Sequence, residues 1–332
     1  MEIFKVSGAP ASGASISGVS DWRGLSGYYD TPFMEFRFDT TLGDGLPELT
    51  FDISGLAGAP PGVSNFVDWD DGTTLEEVSG ATLSHTYSTG GVYDIKVSGY
   101  GLLTANNDLQ TKLTDIPVFV NTLELQQFSS SSELTSISSP VAPVLNSGAG
   151  VLLLSNNPKL SSVSAINSWD VSGVTNLGSA FFNSLLFNQP LSNWVVSGVT
   201  LSMGSMFQGA TSFNQDISSW DVSNAGFVGS MFFGASSFDQ DLGAWTFKDS
   251  CIINFIFNNS GMSDANVALC LEGWDSVGQG TSVDATDMFG TVVSGGGPRT
   301  LSESTYPNAK TAYDNLIANN SWDFTGSFNW IA

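Results

Sequence analysis

Large apolar residues recur along the second half of the chain at Phe128, Leu154, Phe181, Phe207, Phe232 and Phe257, at intervals of 26, 27, 26, 25 and 25 residues. A second series, Leu134, Leu160, Phe187, Phe213 and Phe238, follows six positions behind the first five. Self-similarity in the twenties is the mark of units too small to bury an apolar face alone, which stack on their neighbours instead. The pattern predicts a solenoid of about six coils, with both series in its core.

Ahead of the repeats the period is two. FMEFRF, ELTFDI, NFVDW, TLSHTY and VYDIKVSGY between residues 31 and 103 alternate apolar and polar positions and are separated by Gly and Pro clusters. These predict short antiparallel strands of a small β-sandwich. Behind the repeats the period changes again. SDANVALCLEGWDS places Val267, Leu271 and Trp274 at helical spacing, with Ser263 or Asp264 as N-cap. YPNAKTAYDNLIANN places Ala312, Leu316 and Ile317 on one face and begins with Pro in its first turn. A Trp-containing strand, SWDFTGSFNWI, follows.

Two segments carry resemblances. Asp68-Trp69-Asp70-Asp71-Gly72-Thr73, followed by His85-Thr86-Tyr87, resembles the W-G-D-G-T turn and H-x-Y strand of PKD-type domains, with Asp70 in place of the first Gly. FNQPLSNWVVS, FNQDISSWDVS and FDQDLGAWTFK, starting at Phe187, Phe213 and Phe238, resemble the repeat of the BspA-like bacterial surface proteins, a divergent branch of leucine-rich repeats. GSMFQGATS and GSMFFGASS precede the last two copies. NTLELQQF and GVLLLSNNPKLSSVSAI look like earlier leucine-rich coils. The expected fold is therefore mainly β: an immunoglobulin/PKD-like β-sandwich, then a leucine-rich-repeat-like solenoid with a helical C-terminal cap. Its parts are an arm over 1–30, the sandwich over 31–103, the solenoid over 104–262 and the cap over 263–332. The BspA-like resemblance implies attachment to a surface, a partner protein or a glycan.

Composition narrows the function classes. Hydrophobic residues make up 41%, with 23 Phe and 9 Trp, enough for a sizeable core, while only 12% of residues are charged. The 36 Gly add frequent turns. There are 32 Asp and Glu against 9 Lys and Arg, a formal charge of −23. That field repels phosphate backbones and anionic membranes, which sets nucleic acid aside as a main partner. No apolar stretch reaches membrane-helix length, and the first 30 residues lack the apolar core of a secretory signal. The expectation is a protein outside the ordinary export route, with residues 1–30 as an anchoring arm toward other virion or surface proteins.

Little chemistry is legible. The single histidine, His85, lies on a predicted strand, where a packed, hydrogen-bonded ring competes with a catalytic one. Asp68, Asp70 and Asp71 either bind calcium through oxygen or bond the backbone of their own turn. Glu76 and Glu77, on opposite sides of a strand, cannot form a glycosidase pair by themselves. Asn188, Asn214 and Asp239 with Gln189, Gln215 and Gln240 either bond corner backbone groups or contact a glycan. Trp194, Trp220 and Trp245 either pack in the core or form a sugar-stacking platform. Cys251 and Cys270 are either buried thiols or a staple between the last coil and the following helix. No catalytic, cofactor or metal residue is assigned.

The sequence thus points to a non-enzymatic phage surface or host-attachment protein that uses a rigid repeat module for decoration or adhesion. A bacterial cell-surface adhesin is second, and a glycan-active enzyme a distant third. A host receptor or glycan, and a second copy of the chain, are the partners considered.

Overall fold

In the computed structural model, residues 33–42, 48–55, 66–73, 76–77, 82–98, 102–104, 112–118, 130–139, 145, 154–277, 279–289 and 298–332 are described. Phe128, NTLELQQF and the arm over 1–30 lie outside them. The chain divides into two units, residues 1–144 with 162–164, and residues 145–161 with 165–332.

In the first unit, alternation in the sequence becomes alternation across a sheet. Strand β1 (Phe33–Asp39) buries Phe36 and Phe38 completely and turns Glu35, Arg37 and Asp39 to the other side. It pairs antiparallel with β6 (Val92–Ser98), placing Phe36 opposite Ile95 and Arg37 opposite Asp94. The Arg37 guanidinium donates to both oxygens of Asp94 at 2.7 and 2.9 Å, which pins this register. On its other edge β1 pairs antiparallel with β8 (Leu113–Val118). β8 in turn pairs parallel with β9 (Ser136–Ile137), and β9 with β10 (Ser162–Val163). Adding β3 (Phe66–Asp68) and β4 (Glu76–Glu77) gives a seven-stranded mixed sheet ordered β10-β9-β8-β1-β6-β3-β4. Strands β2 (Glu48–Gly55), β5 (Thr82–Thr86) and β7 (Leu102–Thr104) form a three-stranded sheet ordered β5-β2-β7.

The second unit is built mostly of turns. Successive repeats touch through isolated parallel bridges that link Asn176, Ser202, Phe227, Ile252, Asp284 and Asp323. Between bridges, backbone N–H groups reach the next repeat: Phe181 to Met206 O at 2.8 Å, Phe207 to Met231 O at 2.9 Å and Phe232 to Ile256 O at 2.9 Å. Each repeat also holds two left-handed residues four positions apart, Ser179 and Asn183, Ser205 and Gly209, Ser230 and Gly234, Phe255 and Asn259. A left-handed residue breaks extended backbone, so the ladder survives as single bridges and never lengthens into a strand.

The apolar series fill the interior of this unit. Phe181, Phe207, Phe232 and Phe257 stack at centroid separations of 5.5, 5.8 and 6.0 Å, and Phe289 continues the row at 5.9 Å. Phe187, Phe213 and Phe238 form a second row at 6.2 and 6.0 Å. Burial of each ring contributes roughly 2–3 kcal/mol, and each aromatic pair about 0.5–1.5 kcal/mol more.

Helix α1 (Asp264–Ser276) starts where its signals place it: Ser263 Oγ accepts the Asn266 N–H at 3.3 Å, and Val267, Leu271 and Trp274 are buried. Gly273 lies so close to the preceding repeat that a Cβ there would stand 2.4 Å from Gly243 Cα, so both positions require glycine. Helix α2 (Pro307–Asn320) buries Ala309, Ala312 and Leu316 but leaves Ile317 41% exposed, unlike the expected face. Strands β11 (Arg299–Ser302) and β12 (Phe328–Ile331) pair in parallel.

The expected architecture, a sandwich followed by a leucine-rich-repeat-like solenoid with a helical cap, is corrected by these findings. The sheet of the first unit is mixed and runs on through β8, β9 and β10, well past residue 103. From residue 164 to 298 the described residues hold no strand, only turns, isolated bridges, a 3-10 turn at Ile166–Ser168 and α1. Alternation and period count equivalent environments. They do not report which distant strand completes a sheet, or whether the repeated backbone is extended.

Candidate functional site

The acidic turn of the first unit folds onto itself. Asp70 takes a left-handed conformation, φ 58°, and Gly72 follows at φ 82°. The Asp70 N–H donates to Asp68 Oδ1 at 3.1 Å, and Asp70 Oδ2 accepts the Asp94 N–H at 2.9 Å. Asp71 Oδ1 accepts both the N–H and the hydroxyl of Thr73, at 2.9 and 2.6 Å. The three carboxylates therefore bond different backbone groups. Among the described residues no group of three or more His, Cys, Asp or Glu has the placement to hold a metal ion.

His85 joins this turn. Its Nε2 lies 2.7 Å from Asp71 Oδ2, its ring stacks on Trp69 at 4.8 Å, and its edge meets Tyr87 at 4.7 Å. Trp69 Nε1 donates to Glu76 Oε2 at 2.9 Å, and the Tyr87 hydroxyl donates to Trp69 O at 3.0 Å. Burial alone would raise the Asp71 pKa, but the bonds from Thr73 and His85 outweigh it and hold the carboxyl below its ordinary value. Burial pushes the Tyr87 phenol far up. The cluster is a packed aromatic plug with an ionised acid at its rim. The side chain of Glu77 lies outside the described residues.

In the second unit, Trp194, Trp220 and Trp245 are at most 3% exposed. Each indole N–H donates to a carbonyl of the preceding repeat: Trp194 to Ile166 O at 2.7 Å, Trp220 to Leu191 O at 3.0 Å and Trp245 to Ile217 O at 3.1 Å. A buried ring offers no face to a sugar, so these residues are pillars and not a platform. Trp274 on α1 and Trp322 continue the series, donating to Leu242 O and Gly280 O.

The amides form a second inter-repeat ladder. Asn188 Oδ1 accepts the Asn214 N–H at 3.0 Å and Gln215 Nε2–H at 2.8 Å, and Asn214 Oδ1 accepts the Asp239 N–H at 2.9 Å and Gln240 Nε2–H at 2.8 Å. The two cysteines are free and buried, and each meets a different backbone group. Cys251 Sγ–H donates to Ala225 O at 3.4 Å, and Cys270 Sγ accepts the Leu242 N–H at 3.2 Å.

Two features escape sequence reading. Asp115, only 6% exposed, accepts the hydroxyls of Ser136 and Ser138 at 2.7 and 2.6 Å and so joins β8 to the segment of β9. The bridge positions themselves form a column in which four rungs have a side-chain oxygen turned onto the N–H two residues on: Asn176 to Gly178, Ser202 to Gly204, Asp284 to Thr286 and Asp323 to Thr325. Phe227 and Ile252 occupy the remaining two rungs. The 25- and 26-residue spacing of Asn176, Ser202, Phe227 and Ile252 was the available signal, hidden by their unlike chemistry.

A family described as "Mycoplasma protein of unknown function, DUF285" matches residues 154–269, less than half of the chain, spanning the stacked repeats and the first turns of α1. No curated protein and no solved structure matches the chain. The repeats of the second unit are thus similar to that family over residues 154–269.

Proposed function

We propose that the protein is a non-enzymatic attachment and display module, carried at the surface of a phage particle. One observation carries the reading: the second unit uses its indoles and corner amides as bonds between repeats, in register over successive copies. Groups fixed in this way stiffen a surface and are not at hand for turnover. The engagement of His85 with Asp71 and Trp69 supports the same reading. The charge of −23 supports protein or glycan partners over nucleic acid.

A bacterial cell-surface adhesin is the second reading; the description of the matched family names Mycoplasma and no function. Mass spectrometry of purified particles and of fractionated uninfected cells separates the two carriers. Retention of the labelled full chain on intact host cells tests attachment itself. A chain that no cell surface retains, or one that turns over a bound glycan, overturns the proposal.

A further inference from the structure

We propose that the outer edge of β12 (Phe328–Ile331) is a two-fold pairing site for a second copy of the chain. The site does not depend on what the protein attaches to.

Bonds between successive repeats run one way along the second unit. Met203 N–H donates to Phe227 O, Val228 to Ile252 O, Ile253 to Asp284 O and Ala285 to Asp323 O, at 2.8, 2.8, 2.8 and 2.9 Å. Phe324 is next in this series, and its N–H has no acceptor among the described residues. The described stack therefore stops at the coil that begins with the Asp323 bridge and contains β12. Within that coil β12 has one neighbour. Arg299 N–H donates to Ser327 O at 2.8 Å and Glu303 N–H to Ile331 O at 2.7 Å, so Ser327, Asn329 and Ile331 turn their backbone groups toward β11. Phe328 and Trp330 turn theirs the other way, where no strand of the described residues pairs with them.

This edge is unguarded. Residues 324–332 hold no charge and no Pro, the devices that ordinarily block a free edge. Asn329 and Ile331 are exposed, Ile331 to 53%. An edge that offers the N–H and C=O of two residues at i and i+2 is complementary to itself. Turned about a two-fold axis, Phe328 meets the second copy's Trp330 and Trp330 its Phe328, with four backbone bonds, and the pairing takes the place of the next coil. The two copies of Asn329 then stand opposite each other on the axis, at the closer spacing of a non-hydrogen-bonded pair. The charge of −23 on each copy opposes the approach, so salt strengthens the dimer.

Sedimentation velocity of the full chain over a concentration series, at low and high salt, tests the pairing. A reversible monomer–dimer equilibrium, tighter at high salt, is expected. Asn329→Lys and Asn329→Asp each set like charges opposite one another at an exposed position, and each should weaken the dimer about fivefold without shifting the thermal melt. An equimolar mixture of the two variants should restore it, because Lys then faces Asp. A chain that stays monomeric at every concentration overturns the proposal, as does a dimer that both substitutions leave unchanged or that the mixture fails to restore. Assembly that grows past the dimer also overturns it, since a two-fold pairing closes on itself.

Discussion

Asp239 Oδ1 accepts the backbone N–H of Ser263 at 2.8 Å, at the point where the stacked repeats hand over to helix α1. The same oxygen accepts the Ser263 hydroxyl at 2.9 Å and Asn266 Nδ2–H at 2.8 Å. Asn188 and Asn214 occupy this place in the two preceding repeats, and Ser263 and Asn266 supply the donors that Asp239 and Gln240 supply one repeat earlier. The helix thus docks by the repeat's own bonding scheme. The change from Asn to Asp adds a negative charge where a helix N-terminus presents N–H groups and a positive dipole end.

Asp239→Ala should therefore destabilise the second unit by about 1–3 kcal/mol, and Asp239→Asn by only about 0.5–1 kcal/mol. Burial would raise the Asp239 pKa, but bonds from Ser263 and Asn266 and the charge of Arg299 hold it below the ordinary carboxylate value. Its stabilising effect is present above the unfolded pKa of about 3.9 and is lost as pH falls through the lower folded value. Urea melts at pH 7 and pH 3 should show the gap between wild type and Asp239→Asn closing in acid. A gap independent of pH would refute the assignment.

Gly209 and Gly234 share a left-handed φ of 71° but not their surroundings. A Cβ on Gly209 would stand 2.3 Å from Asn183 Oδ1, whereas the nearest atoms to one on Gly234 are 3.9 Å away. Gly234→Ala should cost about 1–2 kcal/mol, the left-handed penalty alone, and Gly209→Ala measurably more. Asn183 and Asn259 adopt the same conformation at the equivalent positions, so Gly234→Asn should cost less than Gly234→Ala. Equal midpoints for the two alanine variants would contradict this packing.

The thiols report on the second unit. Burial pushes the Cys251 pKa up to about 11 and that of Cys270 higher still, and both side chains are almost fully enclosed. A thiol reagent at pH 8 should label neither in the native protein and both in denaturant. Rapid labelling of the native chain, or an absence of free thiols in denaturant, would show a different arrangement.

Asp71 provides the matching test in the first unit. Its depressed pKa contributes stability above the unfolded carboxylate value that disappears as pH falls through the folded one. Asp71→Ala removes the acceptor for Thr73 and the partner of His85, at a cost of about 1–3 kcal/mol near neutrality that shrinks in acid. Denaturant melts of a variant pair, with Trp69 as the changing fluorophore, measure it. A cost that is unchanged at pH 3 would remove Asp71 from that role.

Local signals were legible where neighbours in sequence supply the partner. Ser263 is followed by the helix it caps, and the alternation of Phe36 and Phe38 with Arg37 needs only a sheet with one buried face. The column of bridges was not legible. Phe227 and Ile252 gain meaning only beside Asn176, Ser202, Asp284 and Asp323, residues as far as 96 positions away that share a column through backbone bridges.

The sequence by itself determined the period of the repeats, the identity of the residues that stack, the strands on either side of the acidic turn and the start of α1. A periodic apolar pattern requires periodic burial, and short-range spacing sets which face is buried. Tertiary structure decided that the repeats are joined by left-handed turns and single bridges, that β8, β9 and β10 complete the first unit's sheet, and that Trp194, Trp220 and Trp245 are enclosed pillars. Backbone handedness, strand partners and the exposure of a ring depend on contacts between residues distant in sequence, and a chain read in order does not contain them.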